Sequence, residues 1–245
     1  MLKKQTKEII TQSVSIILPT YNEVDNVCIL IPRLEALFQK LDHFVLMEII
    51  VFDDFSPDGT AHACKKMNEE YHNIMVLQKQ KEGIGAALHL GYTSAKGDII
   101  LSMDADLSFL PEDVPSLLHK ISDGYDLVLG SRHILHGGYE KQLLATKIKW
   151  FLSSCGNKII TTLFHIPVHD FSGNFRAIPG SVWKDICVQE KTNLMLFETV
   201  LQVQKKGYRI AEVPVVFYER RFGKSKLHLF LESLCFLKHL LRHKY

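Results

Sequence analysis

The chain has 245 residues, of which 47% are hydrophobic and 23% are charged. This size and composition predict one globular domain over residues 1–245, with ample core. The formal net charge is only +2, and no zinc-finger spacing or basic aromatic repeat occurs, which argues against a nucleic-acid partner. Five scattered cysteines without a Cys-x-x-Cys pair argue against a disulfide framework and indicate a reducing compartment.

The N-terminal extension, residues 1–12, begins with a polar and charged stretch that does not resemble a signal peptide. No apolar segment of the sequence reaches the ~20 residues needed to span a bilayer. We therefore expect a protein held in the cytosol, or peripherally on the cytosolic face of a membrane.

The first half of the chain alternates predicted strands and helices. Periodicity and turn residues predict strands at 14–18, 48–52, 73–77, 98–103 and 126–129, and helices at 25–41, 60–71, 85–95 and 111–122. Such alternation predicts an α/β fold, with a mostly parallel sheet covered by helices on both faces. In open sheets of this kind, ligands bind at the carboxyl ends of the strands.

After Gly138 the pattern changes. An apolar segment with interspersed lysines covers 143–164, a helix is predicted at 193–206, and a strand at 209–217. A stripe of leucine and phenylalanine predicts a C-terminal amphipathic helix over 226–242. Residues 140–165 and 226–245 are therefore candidate membrane-interface helices, although packing on the core of the sheet explains each equally well.

Two carboxylates follow the predicted strand at 98–103. Asp104 and Asp106 are two residues apart, so on an extended chain their side chains point the same way. Two carboxylates that close repel each other unless a cation lies between them. Mg²⁺ and Mn²⁺ prefer such oxygens and often bridge to substrate phosphates, so the pair indicates a metal–diphosphate site. A solvated turn is the alternative if the pair is considered alone.

Four segments in order, each after a predicted strand or at the start of a helix, resemble glycosyltransferase family 2. They are Pro19-Thr20-Tyr21-Asn22-Glu23, residues 53–60 (Asp-Asp-Phe-Ser-Pro-Asp-Gly-Thr), residues 83–87 (Gly-Ile-Gly-Ala-Ala) and residues 103–108 (Met-Asp-Ala-Asp-Leu-Ser). The resemblance implies the GT-A fold, a Rossmann-like sheet with an Asp-x-Asp metal site.

The second half narrows the resemblance to the dolichyl/polyprenyl-phosphate mannosyltransferase branch of that family. The residues that carry it are Gly130-Ser131-Arg132, residues 170–176 (Asp-Phe-Ser-Gly-Asn-Phe-Arg), residues 212–217 (Glu-Val-Pro-Val-Val-Phe) and residues 220–227 (Arg-Arg-Phe-Gly-Lys-Ser-Lys-Leu). The resemblance runs from about residue 14 to about residue 227, and the Arg-x-x-Gly-x-Ser-Lys segment is its most specific part.

The resemblance also implies roles for individual residues. The nucleotide-sugar donor would contact Pro19, Tyr21, Glu23, Asp53, Asp54 and Lys81. The metal, Mg²⁺ or Mn²⁺, would bind Asp104 and Asp106, with Ser108 close to it. The acceptor phosphate would contact Arg132, Arg176, Arg220 and Lys226. Of these residues, Asp104, Asp106, Arg132 and Arg220 would act in catalysis.

Four residues depart from the family pattern. Some relatives carry Gln where Ser108 stands, and the family often has His where Phe109 stands. Phe55 occupies a position that is usually Gly or Asn, beside the implied base pocket. Asn174 is inserted or substituted in a segment that is typically Thr/Ser-Gly-Phe-Arg.

The resemblance implies a metal-dependent, inverting transfer of mannose from GDP-mannose to a polyprenyl (dolichyl-type) phosphate. An acceptor of this kind also implies a membrane surface, and a membrane-anchoring protein partner is an open option. Transfer of glucose or another hexose from a UDP donor to undecaprenyl phosphate is the nearest alternative. A soluble transferase with a glycan acceptor, and a nucleotide-sugar-binding scaffold without turnover, are two further alternatives.

Overall fold

The computed structural model describes residues 11–78, 83–140, 144–220 and 222. The strands within these ranges are β1 (Gln12–Thr20), β2 (Phe44–Asp53), β3 (Ile74–Gln78), β4 (Ile99–Ser102), β5 (Leu127–Ser131), β6 (Gly138–Tyr139), β7 (Arg176–Pro179), β8 (Ile210–Pro214) and β9 (Val216–Phe217). The helices are α1 (Val24–Phe38), α2 (Thr60–Tyr71), α3 (Ile84–Ser94), α4 (Val114–Ser122), α5 (Leu144–Leu163), α6 (Gly180–Asp185) and α7 (Met195–Lys205).

Seven of these strands form one sheet in the order β3-β2-β1-β4-β7-β5-β8, and β6 pairs with β9 separately. Strand β1 pairs in parallel with β2 and β4, and β5 pairs in parallel with β8. Strand β7 is the exception, because it runs antiparallel to both β4 and β5. The predicted α/β class with a mostly parallel sheet is therefore confirmed, with one antiparallel strand inserted near its middle.

Helices cover both faces of the sheet, as predicted. Neighbouring residues of β1 show this directly, since Ile16 packs into one buried cluster and Ile17 into the other. The Ile16 cluster takes side chains from α1, α2 and α4, whereas the Ile17 cluster takes side chains from α3, α5, α6 and α7. Alternation along the strand is what sends successive side chains to opposite faces.

The first half of the chain follows the sequence prediction closely. Helix α2 has the predicted bounds, and the strands β1 and β2 are longer than predicted. The predicted helix at 111–122 begins with a single 3-10 turn at Pro111–Asp113, before α4. The missed elements include β6, β7 and α6, which span only two to six residues, too few for a periodic pattern.

Only one of the two candidate membrane-interface helices lies within the described residues. The segment at 143–164 forms α5, whereas the amphipathic helix predicted at 226–242 lies outside the described residues. Among the described residues, no helix combines the length and the apolar character needed to cross a bilayer.

Candidate functional site at the carboxyl edge of the sheet

Hydrogen bonds around Asp53 join the ends of β1, β2 and β3. The Asp53 side chain is fully buried, and its carboxylate accepts hydrogen bonds from the amide of Ser56 at 3.1 Å and from Gln78 Nε2 at 3.1 Å. The Ser56 hydroxyl also donates to Asp53, and it accepts from the amide of Asn22 at 2.9 Å. The predicted donor residues after β1 and β2 therefore belong to one connected edge.

Asp58 fixes the starts of α1 and α2 beside this edge. One of its carboxylate oxygens accepts from the amide of Val24 at 3.1 Å, and the other accepts from the amide of Thr60 at 3.0 Å. The Thr60 hydroxyl in turn accepts from the amide of Glu23 at 3.0 Å. Carboxylates stabilise helix starts because the first amides have no partner within the helix. Asp58 thus supplies an acceptor to one amide at the start of each helix.

The other residues predicted to contact the donor lie in β1, just after β1 and β2, or outside the described residues. Pro19 lies within β1, opposite Phe52 of β2, and the amide of Asp54 donates to the carbonyl of Thr20 at 3.1 Å. Tyr21 is half-buried in the turn after β1. Lys81, expected near the donor phosphates, lies outside the described residues.

Asp106 and Glu23 are joined through Arg220. The Arg220 Nε lies 2.7 Å from Asp106 Oδ2, and its Nη1 lies 3.4 Å from Glu23 Oε1. The Arg220 side chain keeps 27% of its surface exposed, whereas that of Asp106 keeps 4%. Three predicted residues separated by up to 197 positions thus meet at one point. The other oxygen of Asp106 accepts from the amide of Ser108 at 3.0 Å.

Asp104 lies beside this ion pair and is held by Asn174, whose Nδ2 donates to Asp104 Oδ1 at 3.0 Å. Burial, together with the nearby charge of Asp106, raises the pKa of Asp104 to about 6. Burial removes the water that would stabilise the charged carboxylate, and the neighbouring carboxylate repels its charge. The protonated form is therefore favoured unless a cation is present.

The oxygen atoms at this point fit a hard divalent cation. The side chains of Asp104 and Asp106 supply carboxylates, and the hydroxyl of Ser108 is buried without a hydrogen-bond partner in the part of the chain described. Within that part, no group of three or more acidic, histidine or cysteine side chains forms a cation cage. Mg²⁺ is commonly bound by one or two carboxylates plus substrate phosphates, so two carboxylates suffice.

Arg132 is held in place by a bidentate ion pair. Its Nε and Nη2 contact the two oxygens of Asp170 at 2.7 and 2.9 Å, and Nη2 also donates to Ser172 Oγ at 2.9 Å. The rings of Tyr139 and Phe217 each lie 5.8 Å from the guanidinium carbon. Burial alone would raise the pKa of Asp170, but the charge of Arg132 and its hydrogen bonds together outweigh burial and lower that pKa to about 2. Most donors of Arg132 are therefore engaged within the protein.

Arg176 does not fit the predicted contact with an acceptor phosphate. Its side chain is buried, with 1% exposure, and its nitrogens donate to the backbone carbonyls of Phe171, Gly173 and Leu196 at 2.6–3.2 Å. Burial lowers the pKa of this guanidinium. The physical reason for the correction is that β7 inserts into the sheet and turns Arg176 inward, which motif matching could not detect.

The site also contains residues for which the sequence suggested no role. Asp170 and Asn174 both stand in the segment before β7, and they contact Arg132 and Asp104 respectively. The antiparallel pairing of residues 176–179 with β4 brings both residues to the site. A four-residue strand is too short to show a pattern in the sequence from which that pairing could be predicted. Lys226, predicted at the acceptor phosphate, lies outside the described residues.

The sequence is similar to proteins named as mannosyltransferases. It is 31% identical over 220 residues to dolichol-phosphate mannosyltransferase of Pyrococcus furiosus, which covers 87% of this chain and 59% of that protein. It is 29% identical over 225 residues to polyprenol monophosphomannose synthase of Mycolicibacterium smegmatis, covering 89% of this chain and 82% of that protein. The chain thus spans less than two thirds of the length of the Pyrococcus relative.

Solved structures share the fold at low sequence identity. Glucosyl-3-phosphoglycerate synthase from Mycobacterium tuberculosis superimposes with a TM-score of 0.68 at 17% identity, covering 94% of this chain and 78% of that one. Mannosyl-3-phosphoglycerate synthase from Rubrobacter xylanophilus gives 0.66 at 20% identity, covering 94% and 73%. The predicted GT-A fold is confirmed by this likeness. A family model described as glycosyl transferase family 2 matches residues 15–186, which is most of the chain, so the chain belongs to glycosyl transferase family 2.

Proposed function

We propose that this protein transfers mannose from GDP-mannose to a polyprenyl (dolichyl-type) phosphate, with a divalent cation and inversion at the anomeric carbon. The observation that carries the proposal is the junction of Asp106, Arg220 and Glu23 beside Asp104, at the carboxyl edge of the sheet. The names of the relatives from Pyrococcus and Mycolicibacterium supply the substrate class.

On the donor side, Tyr21, Glu23 and Asp53 would line the nucleoside pocket, and Asp104 and Asp106 would hold Mg²⁺ or Mn²⁺. A cation bound there would neutralise the negative charge that develops on the departing nucleoside diphosphate. The chain supplies a second positive charge from Arg220, whose guanidinium already lies against Asp106 at 2.7 Å. Preorganised charge of this kind lowers the barrier without a protein nucleophile.

On the acceptor side, the reacting group is a phosphate monoester that is already ionised at neutral pH. It therefore requires positioning by cationic side chains rather than a general base. Among the described arginines, Arg220 is best suited to this role. Its side chain is partly exposed, so a phosphate could replace its contacts to Asp106 and Glu23. The Nη1 of Arg132 donates to the Tyr139 hydroxyl at 3.3 Å, and its second hydrogen would orient the acceptor. Lys226 would add a further charge.

A membrane surface is the expected source of such an acceptor, and α5 offers an apolar face toward it. Phe151, Leu152, Ile159 and Leu163 are each at least 60% exposed. A groove of about 530 Å³ lies along the same helix, between Cys155 and Leu163. Amphipathic helices with exposed aromatic and leucine side chains bind at the bilayer interface. These exposed side chains support the proposal that the protein binds peripherally to a membrane, on its cytosolic face.

Transfer assays with two donors test the chemistry. Labelled GDP-mannose and UDP-glucose are offered in parallel, with polyprenyl phosphate in detergent and Mg²⁺ or Mn²⁺. Mannolipid that forms with the wild type and is lost with Asp104→Ala is the expected result. Lipid product from UDP-glucose alone would contradict the mannose assignment, and no lipid product from either donor would favour a soluble acceptor.

Vesicle flotation tests the membrane face. We expect wild-type protein to float with vesicles that contain anionic lipid, and Phe151→Ser with Leu152→Ser to reduce the floating fraction. Val45→Ser with Met47→Ser removes two other exposed apolar side chains, 50% and 45% exposed, from β2 and serves as the matched control. Equal flotation of both double variants would contradict a specific role for α5.

A further inference from the structure

Asn174 occupies a special position beside the two carboxylates. The register of β7 on β4 pairs Ser102 with Arg176, and continuing it by two residues brings Asp104 opposite Asn174. Residues opposite each other on antiparallel strands have close side chains. The 3.0 Å hydrogen bond from Asn174 Nδ2 to Asp104 Oδ1 agrees with that register.

The backbone around Asn174 is fixed on several sides. Its carbonyl accepts from Ser102 Oγ at 3.4 Å, and that hydroxyl lies 2.8 Å from the hydroxyl of Tyr92. The next residue, Phe175, is fully buried and its ring stacks on that of Phe109 with centroids 5.2 Å apart. Asn174 therefore reaches Asp104 from a rigid base, which is what a residue that orients another side chain requires.

The second polar atom of the Asn174 amide has no partner within the part of the chain that the structure describes. Its Oδ1 is buried and accepts no hydrogen bond from the described residues, and the residue as a whole is only 4% exposed. The orientation of the amide is set by Asp104, because only Nδ2 can donate to a carboxylate. A buried acceptor left unpaired costs about 1–3 kcal/mol, so such atoms in native proteins commonly face a water or ion.

We propose that Asn174 is a positioning residue for the cation site. Its Nδ2 fixes the carboxylate of Asp104, and its Oδ1 accepts a hydrogen bond from a water molecule bound to the cation. This inference rests on the proposed function, in which Asp104 and Asp106 hold a divalent cation. It fits the habit of Mg²⁺ and its analogues of retaining several waters when bound by few carboxylates.

The proposal separates Asn174 from an ordinary core amide. A core amide would stabilise the fold in the absence of any cation, whereas Asn174 donates to a carboxylate that is proposed to hold the cation, and its acceptor is unpaired among the described residues. Residues that orient metal ligands typically change metal affinity by about 10–100-fold when replaced. Metal affinity, rather than stability, is therefore the property that its replacement should change most.

The test measures Mn²⁺ binding directly, from the loss of the free Mn²⁺ electron paramagnetic resonance signal in the presence of GDP. Wild type, Asn174→Ser and Asn174→Gly are compared, with thermal unfolding recorded for each protein. We expect both variants to bind Mn²⁺ about 10–100-fold more weakly, with thermal midpoints close to that of the wild type.

Asn73→Ser is the matched control. Asn73 also donates from Nδ2 to a carboxylate, Glu35 at 2.9 Å, and its Oδ1 is likewise buried without a partner among the described residues. It precedes β3, at the end of that strand opposite the candidate site. We expect Asn73→Ser to leave Mn²⁺ affinity within about twofold of the wild type, since it alters the same kind of contact away from the cation.

Four outcomes would overturn the proposal. Unchanged Mn²⁺ affinity in both Asn174 variants would assign the residue to the core alone, and so would loss of folding in both. An equal loss of affinity in Asn73→Ser would show that the effect is not local. Failure of the wild type itself to bind Mn²⁺ with GDP would overturn the cation site as well, which distinguishes failure of the proposed function from failure of this inference.

Discussion

The loop after β4 and the segment that leads into β7 lie against each other, but they hold their polar groups differently. After β4, two neighbouring carboxylates share one site, and burial raises the pKa of Asp104 to about 6. Before β7, Asp170 and Arg132 neutralise each other, and Arg176 binds backbone carbonyls. Charges satisfied within the protein support its fold, whereas those left unbalanced are available to a ligand. Variants of the first kind should change stability, and variants of the second kind should change activity.

The largest effect should come from Arg176, which binds carbonyls at three residues. Arg176→Met should lower the free energy of unfolding by about 3–5 kcal/mol, because buried carbonyls lose a charged donor. Urea unfolding measures it. Arg209→Met, at an exposed arginine that stacks on Tyr125, should cost under about 1 kcal/mol. A stable Arg176→Met protein with a raised KM for the lipid phosphate would instead restore the acceptor role expected from the sequence.

The next effect concerns Arg220 and should appear in activity. Arg220→Ala should lower kcat/KM for mannosyl transfer by about 100-fold or more, with little change in thermal stability, because a partly exposed charge beside the reacting phosphates is lost. Arg220→Lys should recover only part of the activity, since lysine cannot contact Asp106 and Glu23 through separate nitrogens. Arg33→Ala removes a surface pair with Glu112 and is the control. Equal activity of the two alanine variants would contradict the assignment.

A smaller effect concerns Asp170 and depends on pH. Its folded pKa of about 2 lies below the usual value of about 3.9, so its ionised form stabilises the protein by roughly 2–3 kcal/mol above pH 4. This contribution should be lost as the pH falls from about 4 toward 2. The difference in unfolding free energy between wild type and Asp170→Asn, measured in urea, should therefore shrink over that interval. A difference independent of pH would show that the charge of Asp170 is not what matters.

The smallest effect concerns Phe55, which has a φ of +50° and is 55% exposed. An aromatic residue in this left-handed region is strained, whereas asparagine tolerates it. Phe55→Asn should therefore stabilise the fold by about 1 kcal/mol, measured by thermal unfolding. Phe151→Asn, the same change at a similarly exposed residue within α5, should give no gain. A loss of stability in Phe55→Asn would show that the Phe55 ring has packing interactions that outweigh the backbone strain.

Much of this protein follows from local sequence alone. The bounds of α2, the alternation in β1 that feeds two cores, and the carboxylates that follow β4 all depend on residues near one another along the chain. The carboxyl-edge location of Asp104 and Asp106 likewise follows from the strand before them. These predictions succeeded because periodicity and chain direction decide them.

Tertiary structure decided the part of the site that is formed by β7 and the segment before it. Strand β7 has only four residues, and its antiparallel insertion between β4 and β5 depends on long-range pairing that no local pattern records. That insertion buries Arg176 and brings Asn174 to Asp104. The meeting of Arg220 with Asp106 and Glu23 is equally remote in sequence. Local sequence thus determined which chemical groups follow the strands, and only the sheet order determined which of them are satisfied by the protein and which remain for a ligand.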